Sequence, residues 1–128
     1  VFPPEIEELL RRPNPAVVAT LRPDGSPHTV ATWYLWDGER LLLNMDESRA
    51  RLGFIRRDPR VSLTVLDAES WYRQLTLLGR VAELVGDDEL ADIDRLSRHY
   101  GGEPFRDRES SRVSAWVDVE SWHLWPPA

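Results

Sequence analysis

Asp24-Gly25 is the feature that most limits what this chain can become. It stands in Pro23-Asp24-Gly25-Ser26, between the apolar run Ala16–Leu21 and a longer run over 27–36. Asp-Gly supplies the backbone angles of a tight hairpin turn, so the two runs are expected to fold back on each other as antiparallel strands. The first is β-branched and reads as a short buried strand. The second places Thr29, Ala31, Trp33 and Leu35 on one face and His28, Val30, Thr32, Tyr34 and Trp36 on the other. Apolar bulk on both faces calls for cover on both, by a core on one side and by a partner, ligand or second sheet on the other. Asp37-Gly38 is another tight turn, from which 40–44 returns. The expectation is a meander of consecutive antiparallel neighbours.

Later segments extend the sheet. Arg60–Leu66 reads as a buried strand, and 74–85 as a long one with Gly79 inside it, where glycine marks a bulge or a close backbone approach. In 112–120, Val113, Ala115, Val117 and Val119 face one way, and Ser114, Trp116, Asp118 and Glu120 the other. Trp116 is out of place on that polar face and is expected to be covered from outside the chain's own core, with Trp122, His123 and Trp125 near the same edge. Pro3-Pro4-Glu5-Ile6-Glu7-Glu8-Leu9-Leu10 reads as a short amphipathic helix ended by Pro13-Asn14-Pro15. A further helix begins at Asp87-Asp88-Glu89, carries Leu90, Ile93, Leu96 and Tyr100 at helical spacing, and closes at Gly101-Gly102. Residues 103–111 read as a polar loop. The sum is a mainly β chain with flanking helices (α+β), six strands that are expected to form a small closed barrel. At 128 residues it is expected to be one domain spanning 1–128.

What the chain lacks excludes much chemistry. There is no cysteine, hence no disulfide, thiolate zinc site or cysteine nucleophile. All sixteen Lys-plus-Arg residues are Arg, which removes Schiff-base chemistry and the phosphate-loop lysine. A net charge of −6 argues against general nucleic-acid binding, which rests on phosphate neutralisation. No apolar run approaches the roughly 18–20 residues of a membrane span, and no secretory signal opens the chain. A cytoplasmic home is expected, in keeping with the lack of cysteine. The start at Val1 suggests that residues precede it. His28, His99 and His123 are too scattered for metal ligands, no nucleophile motif is present, and no catalytic side chain or metal is expected.

One stretch points to chemistry. After Asn44-Met45-Asp46-Glu47, Ser48 is placed to cap a helix over 49–57 that carries Arg49, Arg51, Arg56 and Arg57 and stops at Asp58-Pro59. Unpaired N–H groups, the positive end of the helix dipole and guanidiniums in the first turn together make an anion site. Arg can hold a phosphate through two parallel hydrogen bonds. The same arginines equally suit the solvated face of a surface helix, and the residues alone leave both readings open.

Four blocks, in this order, carry a resemblance: 19–28 (Ala-Thr-Leu-Arg-Pro-Asp-Gly-Ser-Pro-His); 33–38 (Trp-Tyr-Leu-Trp-Asp-Gly); Ser48-Arg49-Ala50-Arg51 followed by Arg56-Arg57-Asp58-Pro59-Arg60-Val61; and Tyr72-Arg73-Gln74 leading to Gly79-Arg80-Val81. The chain resembles the pyridoxamine-phosphate-oxidase-like split β-barrel superfamily and, within it, looks most like the deazaflavin-dependent oxidoreductases that use coenzyme F420. The resemblance implies a six-stranded antiparallel split barrel of the FMN-binding-protein type. It also implies a homodimer with its cofactor at the subunit interface, and hydride transfer from reduced coenzyme F420 to a conjugated small-molecule acceptor. It puts Arg51 where relatives hold the flavin phosphate, often with Lys, with Arg49 beside it and Ser48 as a hydroxyl ligand; Arg56 and Arg57 extend the charge toward an anionic tail. Leu43, Asn44 and Met45 would pass beside the ring and ribityl chain, and Thr32, Trp33, Tyr34, Leu35 and Trp36 along the ring edge. Gln74 would reach the flavin from the next strand, with Tyr72, Arg73 and Trp116 at the substrate mouth. FMN on the same fold and a non-catalytic coenzyme carrier are the alternatives; a haem-binding relative lacks an axial ligand.

Overall fold

The computed structural model describes residues 2–127. In chain order the elements are α1 (Pro4–Arg11), β1 (Ala16–Leu21), β2 (Pro27–Thr32), β3 (Leu35–Trp36), β4 (Leu41–Asp46), α2 (Ala50–Arg57), β5 (Arg60–Leu66), β6 (Gln74–Gly86), α3 (Ala91–Gly101) and β7 (Arg112–Trp125). The strands form one seven-stranded sheet in the order β2-β1-β5-β6-β7-β4-β3, and every neighbouring pair is antiparallel.

The expected meander is corrected at one place. Segment 27–36 is not one strand: Pro27–Thr32 pairs with β1, whereas Leu35–Trp36 pairs with β4. Tyr34 causes the break. Its side chain is wholly buried, its hydroxyl donates to the Arg12 carbonyl at 3.1 Å, and its backbone N–H donates to the Tyr100 hydroxyl at 3.2 Å. Anchors on α3 and on the exit of α1 draw this backbone out of the ladder. The broken strand gives seven strands rather than six. It also puts its halves at opposite edges of the sheet, so Trp33-Tyr34 is a covalent bridge across a gap in the hydrogen bonding, and the barrel is split there.

The interior is apolar. Ile6, Leu9 and Leu10 of α1 are fully buried among Val18, Leu43, Met45, Leu63, Val65, Leu75, Leu77, Ala115 and Val117. A smaller cluster, Leu42, Leu90, Ile93 and Leu96, lies beneath α3 with Leu35, Phe105 and Trp116 packed against it. Gly79 meets both sequence expectations: the β6–β7 register shifts between Leu78 and Gly79, and a Cβ there would collide with the Asp118 carbonyl oxygen. No helix among the described residues is long and apolar enough to cross a membrane.

Candidate functional site

Alternation along β4 and β7 gives each strand two faces. Leu43 and Met45, like Val113 and Ala115, enter the interior, while Asn44, Ser114 and Arg112 look toward α3. Asn44 pairs with Ser114 and Asp46 with Arg112, so Asn44 and Arg112 are diagonal neighbours on one face. Asn44 Nδ2 donates to Asp87 Oδ2 at 3.0 Å and to Ser114 Oγ at 3.1 Å, and its Oδ1 accepts from Arg112 Nε at 2.8 Å. Asp87 also starts α3: its carboxylate accepts from the backbone N–H groups of Asp92 at 3.1 Å and Ile93 at 2.9 Å. One buried carboxylate therefore holds both the helix and the strand residue that aims Arg112.

This face borders a cleft of about 530 Å³. Ala16, Ala31, Thr32 and Trp33, with Pro13 and Pro15, form one wall; Ile93, Leu96 and Tyr100 of α3, with Phe105, form another. Trp33 stacks on Tyr100 at 5.3 Å between centroids and 14° between planes, and Phe105 meets Trp33 edge-on at 6.2 Å. The Tyr100 hydroxyl donates to the Asn14 carbonyl at 2.6 Å, and burial pushes its pKa up to about 12, so it stays protonated and fixed.

The charged residues lining the cleft are Arg51 and Arg112. Arg51 is half-buried in the first turn of α2, and its guanidinium forms no hydrogen bond or ion pair with another described residue. Burial above all, then the neighbouring charges of Arg49 and Arg112, pulls its pKa below the ordinary arginine value. Burial likewise lowers that of Arg112, partly offset by Asp46, Asp107 and Asp87. Its guanidinium lies 4.6 Å above the Phe105 ring. Two desolvated cations beside an aromatic wall suit a flat ring that carries an anionic group.

Of the residues expected at the site, the structure brings Thr32, Trp33, Asn44 and Arg51 to the cleft. Ser48 does not cap α2: its N–H and Oγ both donate to Asp46 Oδ1, at 2.8 and 2.7 Å, and Arg49 stands at the helix start. Asp46, two residues back, makes a tighter local turn than the helix cap would. Arg49, Arg56 and Arg57 are exposed, with Arg56 at 3.9 Å from Glu47. The side chains of Tyr34, Leu43 and Met45 belong to the interior, and Leu35 packs beneath α3. Trp36 lies in the main core against Phe2 at 5.2 Å and donates to Glu7 Oε2 at 2.8 Å. Gln74, half-buried, pairs with Leu66 and Trp125; Tyr72 is exposed, and Arg73 lies 3.5 Å from Asp67. Trp116 corrects an expectation in part, since the chain itself supplies some of its cover: half-buried, it packs on the cluster beneath α3, with the Arg40 guanidinium 4.7 Å above its ring.

Sequence reasoning missed Arg112, Tyr100 and Phe105. Helical spacing placed Tyr100 on the buried face of α3, a signal that could have found it. Phe105 was hidden in a polar loop, which Asp94 ties down by accepting from the Phe105 N–H at 3.0 Å and from Arg108 at 2.7 Å.

A family model described as pyridoxamine 5′-phosphate oxidase matches residues 2–126. Among solved structures, an F420 reductase superposes with a TM-score of 0.86 at 34% identity, over 95% of this chain and 98% of that one. A conserved hypothetical protein from Mycobacterium tuberculosis gives 0.74 at 24% identity, covering 98% and 85% of the two chains. General stress protein 26 from Bacillus anthracis gives 0.73 at 16%, covering 97% and 93%. The latter two share the fold. A search of curated proteins finds no match.

Proposed function

The chain belongs to the pyridoxamine 5′-phosphate oxidase family, and we propose that it is an oxidoreductase whose cleft holds a deazaflavin of the coenzyme F420 type. The observation that carries this reading is Arg51: a half-buried guanidinium with no partner among the described residues, facing a cleft lined by aromatic and apolar side chains. A buried charge is stable only when compensated, and the missing counter-charge is what a cofactor phosphate provides. The similarity to an F420 reductase supports deazaflavin over FMN. When bound, the reduced cofactor supplies a hydride, two electrons and a proton together, to the electron-poor carbon of a conjugated acceptor; a second proton comes from water.

The chain's own contribution is to bind, orient and shield. Arg51 anchors the phosphate, with Arg49 adding charge at the rim. Trp33 and Phe105 give the ring apolar neighbours, and Thr32 and Trp33 bring backbone to its edge. The chain is proposed to act as a homodimer. Val17, Ala19, Thr29 and Ala31 on the β1–β2 hairpin, and Gln74 and Leu78 on β6, line a sheet face turned away from the interior. Ala31 is also a cleft residue, so that face adjoins the cleft.

Titration with coenzyme F420 and with FMN, followed by fluorescence, tests the reading. Coenzyme F420 is expected to bind more tightly, and Arg51→Ala to weaken it by about 2–3 kcal/mol, the scale of a lost charge-assisted contact. FMN bound far more tightly would overturn the deazaflavin assignment, and binding of both without turnover across an acceptor panel would favour a carrier.

A further inference from the structure

We infer that Arg112 is a second ligand of the cofactor's anionic group, and that Asn44 acts by aiming Arg112 rather than by touching the cofactor. The inference rests on the reading that the cleft holds a phosphate-bearing cofactor, and it reassigns one of the residues expected to lie beside the ring.

The hydrogen bonds of Asn44 decide its role. A primary amide has two N–H donors, and both are used, on Asp87 and Ser114. Its oxygen is occupied by Arg112 Nε, and the residue is 7% exposed. Such a side chain has little left to offer a ligand, yet it sits against the cleft. What it can do is fix a neighbour, and that neighbour is Arg112.

Arg112 is in the opposite condition. Among the described residues only its Nε is engaged: its terminal nitrogens donate to none of them, and none of their carboxylates lies within ion-pair distance. Held at Nε by Asn44 and backed by Phe105, the guanidinium keeps its terminal edge, the pair of parallel N–H groups that grips a phosphate. Arg51 reaches the same cleft from α2, and Arg112 from the start of β7. The charge of Arg112 is one of those that disfavour the protonated form of Arg51, a repulsion that an anion between them relieves. Asp87 anchors Asn44 and the first turn of α3 together, so the aim of Arg112 is set by the helix that forms the opposite wall.

The test compares coenzyme F420 with the phosphate-free ribityl deazaflavin, on wild type, Arg112→Gln, Arg112→Lys, Asn44→Ala and the double variant Asn44→Ala/Arg112→Gln. Arg112→Gln is expected to weaken coenzyme F420 about 10- to 100-fold while leaving the phosphate-free compound unchanged. Arg112→Lys keeps the charge but loses the Nε bond and the fork, and should fall between. Asn44→Ala should lose less than Arg112→Gln, and the double variant no more than Arg112→Gln alone, because Asn44 acts through Arg112. Equal losses for both ligands, or full additivity in the double variant, would overturn the inference. Should Asn44→Ala fail to fold, the Arg112 variants still decide the matter, because Arg112→Gln with wild-type preference for the phosphorylated ligand also overturns it. Pyrophosphate separates this inference from the cofactor reading. A rise in melting temperature with pyrophosphate that Arg112→Gln abolishes, in a protein that binds neither flavin, would sink the redox reading and leave the anion clamp standing. No response to pyrophosphate or to either flavin would sink both.

Discussion

The barrel interior and the space beneath α3 are built by alternate residues of the same strands, yet their chemistry differs. Leu41, Leu43 and Met45 of β4, with Val113, Ala115 and Val117 of β7, enter an interior of mostly aliphatic side chains. The residues between them look toward α3, where Asn44, Asp87, Asp94, Ser97 and Ser114 are buried polar groups. Aliphatic packing fills volume and stabilises through area removed from water. A buried polar cluster adds little net stability but fixes directions, because each of its members loses heavily if its partner moves. The interior therefore makes the barrel, and the α3 side makes the site. Separate consequences for stability and for binding should follow.

The largest effect expected is on the interior side. Leu43→Ala removes a side chain that is 2% exposed, and should cost about 2–5 kcal/mol in a denaturant titration. Affinity for coenzyme F420 in the folded fraction should hardly move. A loss of affinity as large as the loss of stability would mean that the two sides are mechanically one, and would break the distinction. Tyr100→Phe sharpens it from the other side. The hydroxyl bonds the Asn14 carbonyl and the Tyr34 N–H, so its removal leaves two backbone groups without partners and should cost about 1–3 kcal/mol of stability. The ring remains to stack on Trp33, so binding should survive. If binding fails instead while stability holds, the hydroxyl belongs to the site and not to the split in the barrel.

How much of this could be read from residues follows the same divide. The Asp24-Gly25 hairpin, the amphipathic α1 and the alternation of 112–120 are local patterns, and they formed as local patterns dictate. Alternation also sorted Ser114 and Trp116 onto one face, but it could not say what covered that face. Arg112 and Asn44 are 68 residues apart and become neighbours only through the β4–β7 register, which follows from how seven strands are ordered. The break at Trp33-Tyr34 was hidden for a similar reason. Thr32 to Trp36 are all good strand formers, and it is the distant Arg12 carbonyl and Tyr100 hydroxyl that pull Tyr34 aside. Ser48 misled in the opposite sense. It has the right residue type for a cap, but its hydroxyl and N–H turn back to Asp46, two positions away, and the helix starts one residue later, at Arg49.

The smallest effect expected lies at the edge of the α3 side and depends on pH. Arg108 above all, then the Phe105 N–H, holds the Asp94 carboxyl below its ordinary pKa of 3.8, against the opposing pull of burial. A carboxyl with a depressed folded-state pKa adds stability that is complete above its unfolded value and is lost as pH falls through the folded one. Asp94→Asn keeps an oxygen to accept from Phe105 but gives up the charge that holds Arg108, so at neutral pH the melting temperature should drop by a few degrees. The gap between variant and wild type should stay level down to about pH 4 and close below it. Because Asp94 fixes the loop whose Phe105 backs Arg112, the variant should also weaken coenzyme F420 slightly, and less than Arg112→Gln does. A gap that persists unchanged at acid pH would mean that the carboxylate's charge contributes nothing and that the loop is held by packing alone.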